Sequence, residues 1–356
     1  MKEYNLFDSL KLLLKDDVLA LISEMEMVTV SSAVHNGGFG KAKAVLNVHV
    51  PDSYDQKLLH EHPEQIITEA AQKLGLNPQS SVGMITAADV NKFSMITTSK
   101  DNLTVSAIAT AGCSLAETAG ENIEVSLTPP GTINIIVAID GNPTESCLLQ
   151  AFITATEAKT ASLRDLDVRS TYTGDLATGT ITDSITIIST SKGPKVKYGG
   201  PASKLGRLVG YCTREAVKDA ILKNGNINPT RSIWKRFSER KMPIEKLITE
   251  ISKTSHANIP LEEITSKISK EPLFALTLMM AANIDEEIKM GLIPEEFGDI
   301  NALSEKFARN FILVIRTEER PYHSIKVNSV NPNPYPFSKS ILSQIIEETL
   351  TKISKL

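Results

Sequence analysis

Hydrophobic and polar positions along this chain follow two rhythms, and the change between them falls near residue 225. In the first part, short runs rich in Val, Ile and Thr and bounded by Gly, Pro, Asn or Asp predict strands. They cover Val28–Val34, Ala44–Val50, Leu103–Ala109, Ile123–Leu127, Thr132–Ile139 and Ser184–Ser189. Helical periodicity fills the gaps. Pro63–Leu74 has proline in its first turn and Gly75 just past its end, the usual asymmetry of helix termini. Thr144 can cap a helix that runs to about Leu166, and Lys204–Lys223 stops at Asn224–Gly225, a left-handed cap signal. After Gly225 strand signals become sparse. Amphipathic or apolar helical segments follow at Ile244–Lys253, Leu273–Met290, Leu303–Ile315 and Ser338–Leu356. The pattern predicts a mixed α/β domain of layered strands and helices over residues 1–225, then a mainly α-helical region over 226–356.

Composition narrows the class. A chain of 356 residues with 41% hydrophobic and 22% charged content can bury a large core, so it should fold unaided. The formal charge of −4 and the lack of a contiguous basic tract argue against a nucleic-acid partner. Cys113, Cys147 and Cys212 are far apart, lie in apolar or small-residue runs and form no CxxC pair, which predicts reduced, buried thiols. Asp8, Lys11 and Lys15 interrupt the N-terminal stretch before a signal-peptide core can form. The run Leu273–Ile284 is too short for a membrane helix of about 20 residues. A cytoplasmic protein with no membrane partner is the expectation.

The chemistry-bearing residues gather in two blocks. One is Ser31, Ser32, His35, Asn36, Gly37 and Gly38, with Asn47 in the following strand. The other joins Gly131, Thr132 and Asn134 to Glu157, Lys159, Thr178, Gly179, Thr180 and Asp183. Hydroxyls and glycines at strand ends most often serve turns, so no single one of these residues is diagnostic. Glu157 has Ala, Thr and Ile neighbours, which predicts a buried face on which a carboxylate needs a partner or a task. His35 could act as a general base, since imidazole titrates near neutrality, or could simply be a turn residue. His60 and His62 lack metal-ligand spacing, and Gly37–Lys41 matches no phosphate loop.

In this order, these blocks together with Thr110–Ala111–Gly112 resemble the adenosylcobinamide amidohydrolase family over roughly residues 25–215. The sequence departs from the family pattern after that motif, where Cys113 stands in place of a frequent asparagine, and at Ile181, where a small residue is common. The resemblance implies hydrolysis of the amide joining aminopropanol to the corrin ring of adenosylcobinamide. A large corrinoid would be the substrate, its cobalt belonging to the substrate, with no metal or cofactor required. Glu157 or Asp183 could activate water, and Lys159 or His35 could donate a proton or stabilise charge. Backbone N–H groups and hydroxyls at Thr178–Gly179–Thr180 could hold an oxyanion. A nucleophilic Thr132 or Thr180 is the rival mechanism, and the sequence shows no adjacent base for it. A corrinoid carrier or sensor without turnover would instead leave both carboxylates exposed and far from the glycine turns. A transferase would need a second-substrate motif that is absent. Residues 226–356 suit an accessory catalytic domain, a lid or a module for homo-oligomer formation.

Overall fold

The computed structural model describes residues 1–7, 10–51, 56–122, 131–225, 227–254, 260–315 and 335–353. The strand expected over Ile123–Leu127 lies outside these residues. Two compact units emerge, Met1–Arg231 and Ser232–Leu356. Nine strands of the first unit form one curled sheet: β1 (Lys2–Phe7), β2 (Leu10–Lys15), β3 (Val18–Ser31), β4 (Gly38–His49), β5 (Ser81–Thr86), β6 (Ser94–Lys100), β7 (Leu103–Ala111), β8 (Ile133–Asp140) and β9 (Ser184–Ser189). Its helices are α1 (Gln56–Glu61), α2 (Pro63–Lys73), α3 (Glu145–Asp165) and α4 (Lys204–Asn224).

The strand order is β1-β2-β3-β9-β8-β7-β6, with β4 on the other edge of β3 and β5 beyond it. Period-two alternation explains the layering. Along β8, Ile133, Ile135, Val137 and Ile139 join Leu148, Ala151, Leu205 and Val209 of α3 and α4 in one core. The alternate residues Ile136 and Ala138 face a second core with Leu12, Leu21, Val45 and Met84. The other faces of β3 and β4 meet Ile66, Ile67 and Ala71 of α2. Helices, two sheet layers and a further helix thus stack on three apolar seams.

The amphipathic segment at residues 10–15 forms a strand, with Leu10 and Leu12 buried and Lys11 exposed between them. The strand expected from Val28 starts at Val18 and ends at Ser31, and its register against β4 shifts between Ile22 and Met27. That shift masks the alternation on which the expectation rested. Gly225 adopts φ 81°, as its cap signal required. The first unit nevertheless continues to Arg231. Ile227 packs on the helix-side core, and the Arg231 guanidinium donates to the carbonyls of Leu166 at 3.3 Å and Asp167 at 2.7 Å.

The second unit is helical: α5 (Ile233–Glu239), α6 (Ile244–Thr254), α7 (Leu261–Lys270), α8 (Pro272–Lys289), α9 (Ile300–Ile315) and α10 (Pro336–Ile353). Phe237, Ile248, Ile264, Phe274, Leu278 and Ile345 form its core. Buried Asp285 of α8 accepts the backbone N–H groups of Phe337 and Ser338, each at 2.9 Å, at the start of α10. Among the described residues no helix is long and apolar enough to cross a membrane.

Candidate active site

β8 and β9 run parallel with Asn134 opposite Ser184. The chain therefore enters both strands side by side, bringing Thr132–Ile133 next to Thr182–Asp183. α3 passes this end, and its Lys159 points to Asp183. The pair is well sheltered, each side chain being 10% exposed. The Asp183 carboxylate accepts four donors. One oxygen takes the Ile133 N–H at 3.0 Å and the Thr180 hydroxyl; the other takes the Lys159 ammonium and the Thr180 N–H at 3.1 Å. With about two acceptor sites on each oxygen, this carboxylate is filled. A sheltered charge so held is compensated rather than stranded.

Gly179 makes the arrangement possible. A Cβ there would fall 2.4 Å from an Asp183 oxygen and 2.7 Å from the Lys159 nitrogen. Gly179 and Thr180 in turn pair antiparallel with Glu117 and Ala116. Cys113 is buried at the same place, its thiol pushed up to about 12, first by burial and then by the Asp183 charge, with Lys159 opposing. The thiolate is thereby disfavoured as a nucleophile.

A buried polar chain continues between the sheet layers. The Thr132 hydroxyl donates to the Thr182 carbonyl at 2.8 Å. The Asn134 amide donates to Asn47 and to the Ile85 carbonyl, both at 2.8 Å, and Asn47 donates to Thr110 at 2.8 Å. Asn47 and Asn134 are thus mutually satisfied inside the protein and hold β4–β5 against β7–β8.

Other candidates take different places. Ser31 bonds Thr186 at 2.7 Å, while exposed Ser32 accepts the Ile185 N–H at 3.0 Å and lies 3.3 Å from the Ser184 hydroxyl, beside Asp183. His35 lies against the carbonyl of Pro78 at 3.0 Å, and Asn36 donates to that carbonyl at 3.1 Å and to Ser81 at 2.8 Å. These two close the turn that leads through Gly37 and Gly38 into β4. Gly131 packs against the Gly112 carbonyl. Glu157 corrects an expectation: it is exposed beside exposed Thr156, whereas Thr154, Ala155, Ala158 and Lys159 are buried. The face that the small neighbours suggested for Glu157 belongs to Lys159, about 200° around the helix. A second correction concerns the Thr178–Thr180 turn. The Thr178 N–H donates to the Glu117 carbonyl at 2.9 Å and the Thr180 N–H to Asp183, so neither is idle for an oxyanion.

Sequence reasoning missed the Ile133 N–H and Ser184, and read Cys113 as a buried thiol, which it is, without its place beside Asp183. Only the three-residue spacing of Thr180 and Asp183, typical of local side-chain to backbone bonding, was a readable signal. Among the described residues, no group of three or more His, Cys, Asp or Glu side chains is placed to hold a metal ion.

The region that builds this cluster matches a known family: the profile described as adenosylcobinamide amidohydrolase covers residues 3–229. The chain belongs to the adenosylcobinamide amidohydrolase family. Among its relatives, the adenosylcobinamide amidohydrolase of Methanosarcina mazei is 28% identical over 217 residues, spanning 58% of this chain and 96% of that protein. The Halobacterium salinarum adenosylcobinamide amidohydrolase is 25% identical over 196 residues, 52% of this chain and 77% of that protein. An uncharacterized protein of Methanocaldococcus jannaschii is 28% identical over 209 residues, 53% of this chain and 81% of that protein. Among solved structures, the PH0078 protein of Pyrococcus horikoshii covers 61% of this amidohydrolase-family chain and 82% of its own length, at 12% identity and TM-score 0.31. The L-aminopeptidase D-Ala-esterase/amidase of Ochrobactrum anthropi covers 60% and 83%, at 10% identity and TM-score 0.28.

Proposed function

We propose that this chain hydrolyses the amide between aminopropanol and the corrin ring of adenosylcobinamide, releasing aminopropanol and adenosylcobyric acid for archaeal-type cobamide salvage in the cytoplasm. The observation that carries the reading is the bond from the Thr180 hydroxyl to Asp183 beside Lys159, inside the region the family profile matches. A base adjacent to threonine is what the sequence lacked. Water attack is the weaker route here, because the Asp183 acceptor sites are filled and exposed Glu157 has lost its buried setting. Thr132 gives its proton to a carbonyl, which cannot serve as a base.

Thr180 Oγ attacks the amide carbon while its proton passes to Asp183. Lys159 keeps positive charge at the cluster as negative charge develops. The same proton goes to the departing amine of aminopropanol, leaving an ester on Thr180, which water cleaves with Asp183 as base at the acceptor site that the esterified Thr180 hydroxyl no longer fills. The cobalt enters and leaves as part of the substrate, and no cofactor is required. A non-catalytic corrinoid carrier is not favoured, since Asp183 is sheltered and touches the Gly179–Thr180 turn.

Purified protein incubated with adenosylcobinamide should release aminopropanol, and chelator should not slow it. Hydroxylamine should divert part of the product to a corrinoid hydroxamate. Thr180→Ala should lose activity by about 100-fold or more while Thr180→Ser keeps a measurable rate. Full activity in Thr180→Ala would return the mechanism to water attack, and no aminopropanol release by the unaltered protein would overturn the substrate.

A further inference from the structure

We propose that the first unit carries a second ligand site, for a nucleoside phosphate, at the opposite end of its sheet from Asp183. A cavity of about 490 Å³ opens there, lined by Lys192, Lys195, Lys197 and Lys204 with Asp101 and Tyr198. Its volume is in the range of small-molecule pockets. β8 and β9 separate it from the Thr180–Asp183 cluster. The eight residues of β8, from Ile133 at the cluster to Asp140 beside Gly141 of the cavity, correspond to roughly 25 Å of strand.

Charge defines the ligand's first group. Four lysines and one aspartate line the cavity, a formal local excess of three positive charges on a chain whose net charge is −4, and the Lys195 ammonium also donates to Asn142 at 3.0 Å. Asp101 is already engaged by Lys204 at 2.7 Å, which holds its carboxyl below the usual range. Lys195 and Lys197 stand two apart, on either side of Val196, which packs on the helix-side core. That alternation sends both lysines to the outward side of the segment. Four lysines around one cavity suit a multiply charged phosphate better than a single carboxylate. An apolar floor and a ring define the second group. Leu103 and Leu205 line the cavity, and Tyr198 stands at its rim with 69% of its surface exposed, a free face for a base to stack on. Lys192, Lys195 and Lys197 fall within six residues of the segment after β9, where lysines are ordinarily solvated, and only the fold sets them beside Asp101, Leu103 and Leu205. The inference is independent of the proposed amide hydrolysis.

The test is calorimetric titration of the full-length chain with AMP, inorganic phosphate and adenosine at low ionic strength. AMP should bind at least about tenfold more tightly than either fragment, because charge and stacking act together. The double variant Lys195→Glu/Lys197→Glu changes exposed side chains and turns the local excess of three positive charges to one negative. It should weaken AMP at least tenfold, as Lys2→Glu should not, and Tyr198→Ala should lower AMP affinity towards that of phosphate. Equal affinities for AMP and phosphate would overturn the nucleoside assignment. Absence of AMP binding, or binding undiminished in the double variant, would overturn the site itself. A circular dichroism spectrum matching the unaltered chain shows that the variant's loss is not misfolding.

Discussion

Replacing Asp183 by Asn separates the structural task of this residue from its chemical one. The carboxylate satisfies four donors, among them the Lys159 ammonium, in a place where both side chains are 10% exposed. Asparagine keeps one oxygen, presents an NH₂ to donors that have nowhere else to turn, and leaves the Lys159 charge without its counter-charge. Removing one partner of a buried pair costs about 3–5 kcal/mol. Because Ile133 and Thr180 donate their own N–H groups to Asp183, the loss should appear in their amide exchange. At about 1.4 kcal/mol per decade, protection of peptides spanning residues 131–140 and 177–189 should fall at least about 100-fold, if exchange there reports global opening of the unit. The chain's one tryptophan, Trp234, lies in the other unit, so its fluorescence does not report this loss directly and exchange is the readout. The second variant, Asp183→Asn/Lys159→Met, removes both charges and should recover the part of the lost protection that is due to the uncompensated Lys159 charge. It should still release aminopropanol at least about 100-fold more slowly than the unaltered protein. A double variant as active as the unaltered chain would refute the catalytic assignment, and unchanged protection in Asp183→Asn would refute the structural one.

Three further outcomes are expected. Gly179→Ala puts a methyl 2.4 Å from Asp183 and 2.7 Å from Lys159, so turnover measured by aminopropanol release should drop at least about tenfold while circular dichroism stays the same. Glu157→Gln alters an exposed side chain, and its turnover should remain within about twofold of the unaltered rate; a loss of about 100-fold would restore Glu157 as the base. In the helical unit, burial pushes the Asp285 carboxyl up to about 6 from its ordinary 3.8, against the opposing pull of its Ser338 and Phe337 hydrogen bonds. The folded state therefore holds more protons than the unfolded state between about pH 4 and 6, and stability falls as pH rises through that window, by at most about 3 kcal/mol. Fluorescence-detected denaturation through Trp234 should show this decline relative to Asp285→Asn, and parallel pH profiles would refute it.

Local chemistry decided much of the fold before any tertiary contact. The Thr144 cap, the Pro63 start and the Asn224–Gly225 stop mark helix ends because each satisfies or frees backbone groups within one turn. The apolar run of β8 and the helical periods beyond residue 225 were legible for the same reason. β2 was not, because only a register of leucines against β3 turns its lysines into an outward row. The membership of Lys159, Thr180 and Asp183 in one candidate set could be read from motifs. That Lys159 faces inward and Glu157 outward could not, since small residues surround both and only the packing of α3 on β8 and β9 distinguishes the faces. The lysine-lined cavity was likewise not legible, because it exists only where the segment after β9 and the start of α4 meet Asp101–Leu103 and Gly141 in space. Sequence alone determined the family, the α/β-then-helical order of elements and the helix ends that carry local cap signals. The tertiary structure decided which polar groups share water-poor space, and in such space a carboxylate's partners, set by distances across the fold, define what it can do.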